Sequence, residues 1–143
     1  MRENTVTNNT TASPASSAAR RATHLWTVTG IGLLLYIVLH VLATLLKGVP
    51  AEFAGLEDAA MWVWTIALGI AFLPTLLSTL GQSRATAWIV FVLGILTVVL
   101  AALLGYQYGI RAGAGYLALT VAVFVLLPAG FALVSTLRWA RGR

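Results

Sequence analysis

At 143 residues, 59% hydrophobic and 9% charged, with a mean hydropathy of +0.91, the chain falls outside the range of a soluble domain; a soluble surface needs roughly a quarter of the residues charged. Its net charge of +5 sits in short Arg-bearing flanks beside apolar runs, with no aromatic-interleaved basic patch, so nucleic acid is excluded as a partner. Cysteine is absent, which removes disulfides, thiolate metal sites, iron–sulfur ligation and thiol nucleophiles together.

Residues 1–22 are rich in Asn, Thr, Ser and Ala, with little to bury against the entropy of ordering, and read as a disordered cytoplasmic tail. Four apolar runs follow, Leu25 to Leu46, Ala59 to Leu80, Ala87 to Tyr108 and Gly115 to Leu137. At ~1.5 Å per residue each reaches about 33 Å, the span of a hydrocarbon core. Apolar on all sides, they read as helices and not as strands of a barrel. The expected fold is therefore an all-α membrane protein of four transmembrane helices over residues 23–140, with a basic cytoplasmic end at 141–143. The first run is too long for the apolar core of a signal peptide.

Placing the amino terminus inside puts Arg2, Arg20, Arg21, Arg84, Arg138, Arg141 and Arg143 in the cytoplasm and leaves Lys47 and Arg111 outside. This bias sets both termini inside, in a cell inner (plasma) membrane crossed several times. Tryptophan placement agrees: Trp26, Trp88 and Trp139 fall at the inner boundary, Trp62 and Trp64 at the outer. A repeat is also visible. Arg21 to Trp26 resembles Arg84 to Trp88, and the second and fourth runs each carry a Pro, Pro74 and Pro128, and end Ser-Thr-Leu. Two tandem helical hairpins related by an axis along the membrane normal give this pattern, and coincidence in apolar sequence explains it equally well.

His40 is the sharpest candidate for function, because a titratable group inside a span is costly. Tyr36 and Thr44 flank it at a spacing of four, making Tyr36, His40 and Thr44 a candidate polar intramembrane site. The bland alternative is a neutral His that joins neighbouring helices by a hydrogen bond, at about 1 kcal/mol. No cofactor is expected. The two histidines, His24 and His40, lie about 24 Å apart on one helix and cannot share a haem iron within one chain. No second imidazole or carboxylate near His40 supports a metal site.

Glu52, Glu57 and Asp58 form an acidic cluster in the outer loop, read first as solvation of the loop and as charges at the positive end of the next helix. Thr97, Ala101, Gly105 and Gly109, continued by Gly113, make a small-residue face for helix packing, within the bundle or against another chain. No acidic residue or Arg lies inside a span, and no paired carboxylates, Ser-His-Asp set or phosphate-cradling loop exists, so the chain is not read as an enzyme. The expected function is a non-enzymatic accessory or interaction subunit of a bacterial membrane complex, whose partners are the bilayer and other membrane subunits or further copies of itself. The alternative is a small oligomeric transporter or flippase that uses the polar face of the first span. Small multidrug-resistance transporters share the span count but depend on a Glu in the first span, where this chain has Tyr36 and His40.

Overall fold

The computed structural model describes residues 14–47, 58–81 and 83–142, with side chains over 16–46, 65–81 and 83–142. Among these residues the protein is all-helical. Helix α1 runs Pro14–Lys47 and α2 runs Asp58–Leu80. Helix α3 is α-helical over Arg84–Leu104 and continues as a π-helix over Gly105–Arg111. Helix α4 is α-helical over Gly115–Thr120, π-helical over Val121–Leu126 and α-helical again over Leu127–Arg141. Among the described residues three of the four, α1, α3 and α4, are long and apolar enough to cross a membrane, and α2 contributes the shorter apolar stretch Thr65–Leu80.

The first helix corrects the expected tail. It begins at Pro14, a residue that suits a first helical turn because its missing N–H has no helical acceptor to lose. Residues 14–22 belong to α1, while residues 1–13 lie outside the described residues. Alanine explains the extension: Ala19 and Ala22 are buried against Trp139 and Ala140 of α4, where a small side chain lets the two helices approach. The far boundaries also move, since α3 continues past Tyr108 to Arg111 and α4 past Leu137 to Arg141. The basic end expected at 141–143 is largely the helix terminus itself. Gly142, at φ +71°, donates back to the carbonyls of Arg138 and Trp139, the left-handed cap that glycine adopts at least cost. Its Cα packs against the Arg84 guanidinium, which sets a positive charge over the negative end of α4.

The helices run up-down-up-down. The α2–α3 turn is closed by Ser83, whose Oγ accepts from Thr86 N at 3.0 Å and caps α3, and the α3–α4 turn uses Gly113 at φ +71°. We call the end where α1 and α3 begin the near end, and the end where they finish the far end. Around the bundle α1 packs on α4, α4 on α3, α3 on α2, and α2, least extensively, on α1.

Trp26 joins all four helices at the near half of the bundle. Its side chain is fully buried, and its Nε1 donates to Thr136 Oγ1 of α4 at 3.0 Å. Its backbone carbonyl accepts from Thr75 Oγ1 of α2 at 2.9 Å. Its ring lies against Gly94 of α3, where any side chain would collide with it. Neighbouring hydroxyls bond in the same manner, to a carbonyl one turn back on their own helix and onward to another. Thr23 Oγ1 reaches Ala19 O and Ser78 O, and Thr97 Oγ1 reaches Leu93 O and, at 3.4 Å, Ala71 O. The Trp placement read as an interfacial belt is thus corrected: Trp26 and Trp139 are core residues, at 0% and 3% exposure, and Trp88 alone of the three points outward. Trp62 and Trp64 lie where side chains are not described.

Pro128 shapes the contact between α1 and α4. Lacking an N–H, it leaves the carbonyl of Phe124 without its usual donor one turn on, and the π-helical stretch Val121–Leu126 ends just before it. That carbonyl is turned onto Gly32 of α1, where a Cβ would overlap it. A Cα–H···O contact at this crossing partly satisfies the freed oxygen. Gly69 on α2, by contrast, faces open space.

Two outcomes are expected in thermal or chemical unfolding of the protein in detergent. Gly32→Val destabilises by about 1–3 kcal/mol through overpacking against backbone that cannot retreat, whereas Gly69→Ala is neutral or stabilising. A double-mutant cycle of Trp26→Phe and Thr136→Val returns a coupling of about 0.6–1.7 kcal/mol, the range for hydrogen bonds between membrane-embedded helices; a coupling near zero would remove Trp26 from its place as the junction.

Candidate functional site

Tyr36, His40 and Thr44 share one flank of α1, but the structure does not join them into a continuous polar stripe. Tyr36 is buried and stacks on His40, with ring centroids 5.9 Å apart and planes at 18°. Thr44 turns back to its own helix, its Oγ1 donating to the His40 carbonyl at 2.9 Å, so its hydroxyl serves the backbone and not the imidazole. Lys47 ends α1, where side chains are not described.

The third member of the site comes from α3. Tyr108 meets the imidazole edge-on, with centroids 4.9 Å apart and planes at 69°. The sequence marked Tyr108 only as a boundary aromatic. The available signal was register. Trp26 packs on Gly94, Leu33 and Ala101 line the same cavity, and His40 meets Tyr108, each pair lying one heptad beyond the last on both helices. Helices α1 and α3, parallel and diagonal in the bundle, therefore stay in step along this length.

Within this cluster His40 Nδ1 is enclosed and has no hydrogen-bond partner, although the residue as a whole keeps partial exposure. An enclosed donor without an acceptor is costly, and the neutral ring avoids it by carrying its proton on Nε2. The imidazole then carries its N–H on the other edge of the ring. The bland expectation, a histidine joining helices by a hydrogen bond, does not describe this geometry, since the contacts of His40 are ring contacts.

One turn and more toward the near end, Leu33 of α1, Ala67, Leu68 and Ala71 of α2, and Ala101 and Leu104 of α3 line a cleft of about 160 Å³ with no polar lining. Tyr36, Leu104 and Tyr108 pack in one cluster with Leu33, Ala71 and Ala101, so the aromatic site and the cleft adjoin.

The small-residue face of α3 is turned inward. Thr97, Ala101, Gly105 and Gly109 are all buried; Gly105 meets Val121, and Gly109 lies against the backbone of Ala118. A spacing of four drifts around an α-helix, but the wider π turn from Gly105 takes up the drift and keeps the face on α4. Of the acidic cluster, Glu52 and Glu57 lie outside the described residues, and Asp58 opens α2. Among the described residues no three His, Asp or Glu side chains come together to hold a metal ion.

Comparison with known proteins gives no matching family model and no significant match among curated proteins or solved structures. Function must be read from the site.

His40→Phe keeps the ring contacts and removes the unpartnered nitrogen, so stability in detergent is expected to be unchanged or raised by up to about 1 kcal/mol. His40→Asp, which buries a carboxylate among aromatic rings, is expected to lower it by several kcal/mol. Equal losses in both variants would show that the imidazole makes a bond the geometry lacks.

Proposed function

We propose that the protein is a non-enzymatic integral membrane protein with four spans and both termini in the cytoplasm, acting as an interaction subunit of a membrane complex. The observation that carries this reading is an inversion of side-chain size. The interior is rich in Ala, Gly, Thr and Val, among them Ala22, Ala87, Ala129 and Ala132 at 0% exposure. Large apolar side chains instead coat the outside, as with Leu45 at 70% and Leu80 at 82%. In water such a surface would drive aggregation, whereas in lipid small residues inside allow close helix packing and large ones outside cost nothing. The near end gathers Arg20, Arg21, Arg84, Arg138 and Arg141, which supports its placement in the cytoplasm.

Several features favour a packing role over transport. Trp26 fills the centre of the near half, and the hydroxyls beside it are committed to helix–helix bonds. The polar residues that would line a path in an oligomer are engaged within the chain, His40 in ring contact with Tyr108 and Thr44 bonded to its own backbone. A tandem-hairpin origin is supported by the up-down-up-down order and by the burial of both Pro74 and Pro128. It is opposed by the unequal settings of Trp26 and Trp88, buried and 48% exposed. Placement in a bacterial inner membrane rests on composition alone.

Extraction in mild detergent with measurement of native mass tests the reading. A complex heavier than the 15.2 kDa chain, with a second polypeptide in fixed ratio, is expected. A homodimer without other subunits would shift the assignment to a self-assembling transporter.

A further inference from the structure

The aromatic site and the apolar cleft described above have complementary chemistry and lie within one ligand's length. The cleft is lined by hydrocarbon alone, and its ≈ 160 Å³ is close to the roughly 150 Å³ that takes up one benzene-sized hydrocarbon. Leu103, 58% exposed, also lines it, so it opens on the flank of the bundle between α2 and α3. On that flank a bilayer presents hydrocarbon chains. One heptad, about 10 Å, farther along α1 and α3 stand His40 and Tyr108, with Tyr36 between the two levels.

We propose that this pair of features is a binding site for a prenylated quinone, with the ring beside His40, Tyr36 and Tyr108 and the first part of the prenyl tail in the cleft. A quinone is flat, which suits a site walled by aromatic rings. It has carbonyl oxygens that accept hydrogen bonds and no donor of its own, which matches the Nε2–H that the partnerless, enclosed Nδ1 implies for His40. Its tail is hydrocarbon, which matches a cleft without polar lining. An acyl lipid presents a carbonyl and a chain as well, but its bulky tetrahedral glycerol head gains nothing from aromatic walls. The proposal concerns binding alone. It rests on membrane placement and not on the identity of any protein partner.

The test uses the full chain purified in neutral detergent and a decyl-substituted benzoquinone as probe, with a decanoyl glycerol ester as the acyl counterpart, each followed by calorimetric titration. Saturable binding of the quinone is expected, at least tenfold tighter than the ester. His40→Phe, which keeps the packing, is expected to weaken quinone binding about tenfold by removing the donor. Ala67→Trp, which fills the mouth of the cleft from α2, is expected to abolish it. Absence of saturable binding to the folded wild-type protein overturns the site. Equal binding of the ester overturns the assignment to quinones, and quinone binding unchanged in both variants places the ligand elsewhere. The wild-type comparison of the two probes stands even if a variant fails to fold. A failed titration on a chain that still co-purifies with a partner leaves the subunit reading intact, so the two proposals fail separately.

Discussion

The buried indole of Trp26 is the constraint from which the arrangement of the helices follows. A side chain this large, packed among Ala22, Ala87, Val90, Ala129 and Ala132, restricts what its neighbours can be. Gly94 must face it from α3 because nothing larger fits, Thr136 faces it from α4 because a fully buried indole N–H needs an acceptor, and Thr75 reaches its carbonyl from α2. Once Trp26 and Gly94 are level, the parallel helices α1 and α3 are in step, and the same offset brings Leu33 to Ala101 and His40 to Tyr108. The far-end site is therefore a consequence of packing at the near end.

The number and type of helices were legible in the sequence because a long run that is apolar on all sides, without the alternation of a strand, reads as a helix. The start of α1 was not, because an Ala- and Ser-rich stretch has no periodic signal, and its helix is held by Ala19 and Ala22 against α4. The role of tryptophan was misjudged for a related reason. An interfacial Trp and a core Trp both fall near the end of an apolar run, and only the facing residues, Gly94 and Thr136, tell them apart. His40 was recognised by its cost in an apolar span, and Tyr36 by helical spacing. Tyr108 was missed because it reaches the site through the register between α1 and α3, which no single segment carries.

The two π-helical stretches belong to the same account. Each adds residues to a turn at a place where ordinary α-helical geometry would fail. In α3 the stretch Gly105–Arg111 keeps Gly105 and Gly109 on α4 after the spacing of four has drifted, and it also sets Tyr108 beside His40. In α4 the stretch Val121–Leu126 precedes Pro128, whose missing N–H would otherwise leave a carbonyl stranded. That carbonyl finds Gly32, so the proline of α4 and the glycine of α1 form one unit. Both departures lie on the far side of the Trp26 junction, where Gly32, Gly105 and Gly109 let neighbouring helices approach closely.

Helix α2 is the least constrained element, and the reason lies in where its bonds fall. Ala71, Thr75 and Ser78 each bond another helix, to Thr97, Trp26 and Thr23, and all three belong to its near half around the buried Pro74. The cleft begins where these bonds end, at Ala71, and is bounded on the α2 side by Ala67 and Leu68. The proline also removes one backbone hydrogen bond from α2 beside the cleft, since the carbonyl one turn before it has no N–H to accept from. The opposite wall of the cleft, Leu33 with Ala101 and Leu104, follows the α1–α3 register. One heptad farther along the same two helices that register brings His40 to Tyr108, so the apolar wall and the aromatic cluster are set by one packing relation.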